Sequence, residues 1–82
     1  MLPSIETQPS LMSSEENSAR GLTTREIEVL SLISAGYASK NAAEMLNISK
    51  RTVDFHLANI YVKLNAENRV QAILRAKAKG YL

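Results

Sequence analysis

The segment from Asn47 to Leu64 constrains the fold of this chain more than any other part of the sequence. Its apolar residues recur at steps of three and four, which is the spacing of one face of an α-helix. The residues on that face are Val53, Leu57, Ile60 and Leu64. Ser49 stands just before the repeat, where its hydroxyl can accept a hydrogen bond from an unpaired N–H of the first turn. The pattern predicts a helix over residues 50–64 that is buried on one side and exposed on the other.

The exposed side of this helix carries two basic residues in its first turn, Lys50 and Arg51. Cations at a helix N-terminus oppose the helix dipole, at a cost of roughly a few tenths of a kcal/mol each. A bound phosphate reverses that balance, because free N–H groups and both cations then converge on one anion. The arrangement is typical of a helix that contacts nucleic acid.

A second helix is predicted upstream, where it begins at a capping box. Thr23 and Glu26 stand three residues apart, so each side chain can bond to a backbone N–H near the other residue. Gly36 can supply the left-handed conformation that follows a helix end. This first helix of the chain is therefore predicted from Thr24 to about Ala35.

Two further helices complete the predicted domain. A short one has Ser39 as its expected N-cap and ends near Leu46, so a turn of about three residues joins it to residues 50–64. Such a pair of helices is the helix-turn-helix arrangement. A last helix is predicted over about Arg69–Lys79, and its apolar residues fall on two sides, which favours either a partner surface or burial at an edge. The predicted fold class is all-α, with four helices.

The first 21 residues differ in character from the rest of the chain. They contain two prolines and five serines without an apolar period, which predicts a disordered tail or a linker over residues 1–21. They carry one Arg against three Glu, a net charge of −2, whereas residues 22–82 carry nine Lys or Arg against five acids, a net charge of +4. The predicted folded part is therefore the basic part of the chain.

The composition argues against several classes of protein. A chain without Cys forms no disulfide, no thiolate metal site and no cysteine nucleophile. His56 is the only histidine, and no catalytic constellation or phosphate-binding glycine loop is present, so we expect no enzyme, no metal and no cofactor. The sequence contains neither a signal peptide nor an apolar run of the roughly 18 residues that a membrane helix needs. We expect a cytoplasmic protein that binds neither membrane nor small molecule.

A series of short motifs runs through residues 22–82 in one register without a gap. They are Leu22-Thr23-Thr24-Arg25-Glu26-Ile27-Glu28-Val29-Leu30, Ala35-Gly36, Ile48-Ser49-Lys50-Arg51-Thr52-Val53-Asp54-Phe55-His56, Asn59-Ile60, Lys63-Leu64, Arg69 and Gln71-Ala72. Together they resemble the LuxR-type (LuxR/GerE/FixJ) DNA-binding domain. The resemblance implies a four-helix domain that binds DNA as a dimer, with the third helix in the major groove and the fourth at the dimer contact.

The resemblance also implies roles for particular residues. DNA bases are contacted from the positions of Asp54, Phe55 and Ala58. DNA phosphates are contacted from the positions of Lys40, Lys50, Arg51 and Thr52. The dimer contact includes the positions of Val70, Leu74 and Lys77. The implied function is a sequence-specific transcriptional regulator that binds double-stranded DNA at an inverted repeat, as a homodimer associated with the nucleoid.

Asp54 departs from the pattern, because many members of the family carry Lys at this position. A carboxylate cannot hold guanine as Lys does, but it can accept a hydrogen bond from cytosine N4. It can also pair with Lys50, four residues earlier. Phe55 can press on a thymine methyl group or pack within the domain, and the Asp-Phe-His sequence is nearest to the quorum-sensing branch. In the second helix, Asn41 and Ala42 replace the usual Glu-Ile.

An alternative function stays open at this point. The chain could be a single-domain anti-activator that forms a heterodimer with a longer LuxR-type regulator. Asp54 favours this alternative, as does the lack of room for a sensory domain in the first twenty residues, although an excised fragment would look the same. The basic residues favour DNA; they are Lys40, Lys50 and Arg51.

Overall fold

The computed structural model describes residues 21–82. This part of the chain forms helices α1 (Thr24–Ser34), α2 (Ser39–Leu46), α3 (Lys50–Leu64) and α4 (Arg69–Ala78). It contains no strand, so the predicted all-α fold class with four helices is confirmed. None of these helices is long and apolar enough to cross a membrane. The predicted tail, apart from residue 21, lies outside the described residues.

The start of α1 follows from its capping box. Thr23 Oγ1 accepts a hydrogen bond from the Glu26 backbone N at 3.1 Å, and Glu26 Oε1 accepts one from the Thr23 backbone N at 2.9 Å. The helix ends at Ser34, one residue before the predicted end, and Gly36 then takes a φ of 105°. Because a residue with a side chain is strained at such a φ, glycine is the residue best suited to the turn that follows α1.

The predicted N-cap of α2 was wrong, because Ala38 occupies that position. The extended backbone that defines a cap falls at Ala38 (φ −76°, ψ 163°), and Ser39 is already the first helical residue. Ser39 is buried, and its hydroxyl faces the Asp54 carboxylate of α3 instead. At the other end, Asn47 takes the predicted left-handed conformation with a φ of 59°, which leaves a three-residue turn before α3.

The longest helix, α3, packs against α1, α2 and α4 and so forms the centre of the domain. Ser49 caps it as predicted, and its hydroxyl accepts a hydrogen bond from the Thr52 backbone N at 3.0 Å. Asn65 ends the helix in a left-handed conformation with a φ of 53°. Asn68 then caps α4, because its side chain accepts from the Gln71 backbone N at 2.9 Å.

The core is built around the apolar face of α3. All four residues of that face are buried, and burying each large aliphatic side chain contributes about 1.5–3 kcal/mol. From α1 the core takes Val29, Leu30 and Ile33; from α2 it takes Ala42 and Ala43, and from α4 it takes Ala72 and Ala76. The small residues of α2 and α4 allow these helices to approach α3 closely.

Two contacts between residues far apart in sequence close the domain. Lys63 Nζ, near the end of α3, lies 2.7 Å from Glu26 Oε1 in the first turn of α1, and both side chains are largely buried. The Leu22 backbone N–H donates to the Tyr81 hydroxyl at 3.3 Å. These contacts fix the end of α3 to α1 and the start of the domain to its end.

Candidate nucleic-acid interface

The side of α3 opposite the core carries a row of exposed residues, which we term the exposed stripe. Arg51, Phe55, Ala58 and Val62 follow one another at steps of three and four residues, so they lie along one face of the helix. Phe55 is 63% exposed and Val62 is 80% exposed. Large apolar side chains grouped on an accessible face are typical of a binding surface.

The first turn of α3 adds positive charge beside the stripe. Lys50 and Arg51 are both exposed, and Lys40 is exposed in the first turn of α2. Arg51 and Lys40 make no ion pair with any residue between positions 21 and 82. Thr52 is already engaged in the helix cap, because its hydroxyl lies 2.9 Å from Ser49 Oγ. The structure therefore leaves Arg51 and Lys40 as the readily available cations among the predicted phosphate ligands.

Asp54 is paired with Lys50, and the predicted contact between residues four positions apart is confirmed. Lys50 Nζ donates to Asp54 Oδ2 at 2.7 Å, and both side chains stay substantially exposed. The pKa of the Asp54 carboxyl lies below its ordinary value of 3.8, first because of the hydrogen bond from Lys50. Slight burial opposes this, and the Ser39 hydroxyl and the charges of Lys50 and Arg69 lower the pKa further. Asp54 is thus ionised at neutral pH and neutralises Lys50.

Phe55 of the exposed stripe contacts a neighbouring aromatic ring. The rings of Phe55 and His56 form an edge contact, with centroids 6.0 Å apart and planes at 60°. His56 is half-buried, and among residues 21–82 no three His, Asp or Glu side chains come together as a metal site requires. Phe55 lies outside the core cluster, whereas Tyr61 packs against it. Phe55, rather than the half-buried His56 or the packed Tyr61, is therefore the aromatic residue of α3 available to a ligand.

The exposed face of α4 forms a second apolar surface. Val70 and Leu74 are exposed and lie one turn apart, and the exposed Lys77 continues the same face. Ala72 and Ala76 are fully buried on the opposite side, so the predicted division of this helix into two faces is present. Exposed large apolar residues at this spacing are typical of a helix that packs against a partner.

Three residues that belong to these surfaces or lie beside them were not among the site residues predicted from the sequence. Val62 could have been found, because it stands seven residues after Phe55 and so returns to the same helix face. Ser39 and Arg69 come from other helices and approach Asp54 only in the folded domain. No local pattern in the sequence indicates that approach.

The fold and surfaces have counterparts among known proteins. The GerE profile, described as bacterial regulatory proteins of the luxR family, matches residues 20–76. The transcriptional activator protein SolR of Ralstonia solanacearum is 46% identical over 61 residues, which are 74% of this chain and 26% of SolR. The transcriptional regulatory protein DesR of Bacillus subtilis is 41% identical over 73 residues, which are 89% of this chain and 37% of DesR.

Similarity extends to a further regulator and to a solved structure. The transcriptional activator protein LuxR of Aliivibrio fischeri is 38% identical over 81 residues, which are 98% of this chain and 32% of that protein. The crystal structure of response regulator ChrA, from a heme-sensing two-component system, matches with a TM-score of 0.73 and 39% identity over 76% of this chain and 31% of that one. The chain therefore spans between 26% and 37% of the length of the three curated relatives.

Proposed function

This chain belongs to the luxR family of bacterial regulatory proteins, and we propose that it regulates transcription by inserting α3 into the major groove of specific DNA sequences. DNA binding in transcription regulation, rather than catalysis, follows from the family and from relatives that are transcriptional regulators. The observation that supports the proposed geometry best is the exposed stripe of α3 beside the cationic first turn of that helix. If this domain is part of a longer protein, the activity and the partners of that whole protein are likewise only proposed here.

The exposed stripe suits the floor of the major groove, which admits one α-helix. Phe55 and Ala58 present apolar surface that can contact the methyl group of thymine, and Asp54 can accept a hydrogen bond from cytosine N4. Phe55 is held away from the core, so its contact with a base requires no unpacking of the domain. These three residues are the proposed base readers.

Phosphate contacts are proposed for Lys40, Lys50, Arg51 and Thr52. Arg51 and Lys40 are exposed cations, and Lys50 becomes available when its contact with Asp54 opens. The N-terminus of α3 adds backbone N–H groups that favour an anion. Contacts of this kind fix the register of a protein on DNA, while the base readers supply the sequence preference.

We further propose that α4 forms the contact between two copies of the domain through Val70, Leu74 and Lys77. Two identical readers related by a two-fold axis recognise an inverted repeat, whose half-sites are about one helical turn apart. The exposed apolar pair on α4 supports this assignment, since water otherwise covers both side chains. The regulator would act on nucleoid DNA in the bacterial cytoplasm.

A heterodimeric anti-activator is the alternative, and one observation favours it. Asp54 stands at the position where the family commonly carries Lys, and it neutralises Lys50. Both differences weaken the positive charge that attracts DNA. In that case α4 would bind a longer regulator of the same family. The other two cations among the proposed phosphate ligands, Arg51 and Lys40, favour direct DNA binding instead.

Selection from a library of random duplexes at two salt concentrations tests the proposal. We expect enrichment of an inverted repeat, with affinity that falls as salt rises. Replacing Arg51 with Gln should weaken binding to all sequences and reduce the salt slope by about 0.9, the value for one lost phosphate contact. Arg25→Gln is the matched control, because Arg25 is an exposed cation on α1 paired with Glu28. No enrichment by the unaltered chain would refute the proposal, and enrichment of single half-sites would refute the dimer.

A further inference from the structure

The ion pair of Lys50 and Asp54 lies within the proposed DNA-binding surface. Each residue has a proposed DNA contact of its own, yet Lys50 Nζ and Asp54 Oδ2 are only 2.7 Å apart in the free domain. The two side chains are 62% and 47% exposed, so DNA can reach both of them. The ammonium and the carboxylate offset each other's charge, so while Lys50 and Asp54 stay paired they give little net attraction for a phosphate.

We propose that the Lys50–Asp54 pair is an internal competitor that weakens binding to DNA without a cytosine opposite Asp54. This inference rests on the proposed function. On DNA without that cytosine, Lys50 either stays with Asp54, which cancels its charge and weakens its hold on a phosphate, or leaves Asp54 as an unpaired carboxylate beside a polyanion. On DNA with that cytosine, N4 donates to Asp54 while Lys50 turns to a phosphate, so both charges have partners.

Asp54 thereby contributes specificity mainly by penalising the wrong sequences. A protein discriminates between two ligands by the difference in binding free energy, and an unpaired charge in the unwanted complex widens that difference. An Asn at the same position would carry no such penalty, because an amide is neutral. The carboxylate therefore makes the domain more selective and lowers its general affinity for DNA.

The position of Lys50 and Asp54 fits this role better than a role in holding the helix together. A helix gains more from an acid placed four residues before a base, and here the base comes first. Lys50 also stands in the first turn, where a cation opposes the helix dipole. The ordinary pKa of an aspartate carboxyl lies well below neutral pH, so Asp54 stays charged there after Lys50 leaves.

Asp54→Asn tests this inference, because the amide keeps the size of the side chain and removes its charge. Binding of the full chain would be measured by fluorescence anisotropy over a salt series, with a random duplex and with the selected duplex. We expect stronger binding to the random duplex, with a salt slope steeper by about 0.9. We also expect the preference for cytosine at one position to fall about fivefold or more.

Glu28→Gln is the matched control for this variant. It removes one negative charge from the similarly exposed Arg25–Glu28 pair, whose atoms lie 3.1 Å apart on α1, a helix that carries no proposed DNA contact. Its salt slope and its base preference should stay those of the unaltered chain. A double variant, Lys50→Gln with Asp54→Asn, restores the original net charge and should bind random DNA about as the unaltered chain does, but without the cytosine preference.

The outcomes separate this inference from the proposed function. If the unaltered chain selects a sequence but Asp54→Asn behaves as Glu28→Gln does, the internal competitor is refuted and the proposed function stands. If Asp54→Asn weakens binding to random DNA, the competitor is refuted as well. If the unaltered chain selects no sequence, the proposed function fails and this inference fails with it.

Discussion

Replacing Lys63 with Met should destabilise the domain by about 2–3 kcal/mol, because it leaves a buried carboxylate without its cation. In the folded domain, Glu26 Oε1 accepts from Lys63 Nζ at 2.7 Å and from the Thr23 backbone N at 2.9 Å. The Glu26 side chain is only 5% exposed, so water cannot replace the lost ammonium without opening the contact between α1 and α3.

The size of this effect follows from the burial of the two partners. Breaking a fully buried ion pair by removing one partner costs roughly 3–5 kcal/mol. Lys63 is 16% exposed, so some water reaches its end of the pair, and the cost falls to the lower end of that range or just below it. Glu26→Gln should cost less than Lys63→Met, because the amide oxygen still accepts from Thr23 and Lys63 can extend its ammonium into solvent.

Urea unfolding followed by helical circular dichroism measures the loss, and it suits a chain without Trp. For a domain of this size, a loss of about 2–3 kcal/mol lowers the melting temperature by roughly 10–20 °C. The matched control is Arg25→Met, which breaks the exposed Arg25–Glu28 pair and should change the unfolding free energy by no more than about 0.5 kcal/mol. If Lys63→Met falls within that same range, the reasoning about the buried carboxylate is refuted.

Two further predictions concern the edges of the domain and its pH dependence. Gly21→Ala should destabilise the domain by about 0.5–1.5 kcal/mol, because the added methyl group overlaps the Tyr81 hydroxyl and disrupts its hydrogen bond with Leu22. In a Tyr81→Phe background this loss of stability should be smaller, and an equal loss would contradict the explanation. The pKa of Asp54 in the folded domain lies below its ordinary value of 3.8. The ionised carboxylate therefore adds to the free energy of unfolding above pH 3.8, and this contribution is lost as the pH falls through the folded-state pKa. The difference in unfolding free energy between the unaltered chain and Asp54→Asn should therefore stay constant from about pH 5 to 8 and shrink only below about pH 4; a decline near neutral pH would contradict it.

The helix boundaries could be predicted because they depend on neighbouring residues. Thr23 with Glu26, and Ser49 with the turn that follows it, satisfy N–H groups within three residues, so these two caps can be recognised from local sequence alone. Asn47 adopts its left-handed conformation for an equally local reason. Ser39 shows where this logic ends, because the fold places its hydroxyl inward, toward another helix, and the backbone begins α2 at Ala38 without a side-chain cap.

The interactions that close the domain could not be predicted, because they join residues distant in sequence. Lys63 and Glu26 are 37 positions apart, and Leu22 and Tyr81 are 59 positions apart. Periodicity identifies which side of a helix is buried, but it does not say which residue of another helix meets a given side chain. The same limit explains why the pairing of Lys50 with Asp54 was predictable from a four-residue spacing, while the approach of Ser39 and Arg69 was not.

Taken together, these contacts separate what holds α3 in place from what the helix presents to a ligand. Ser49 caps its first turn, the Lys63–Glu26 pair fixes its last turn to α1, and the apolar face is buried along its whole length. None of these contacts involves Phe55 or Ala58, which project from the opposite side. Substitutions on the exposed stripe should therefore cost little stability, whereas substitutions of Ser49 or Lys63 should weaken the domain. Under the proposed function, changes confined to the exposed stripe would alter the preferred base sequence on an unchanged scaffold, and the Lys50–Asp54 pair would add selectivity for cytosine.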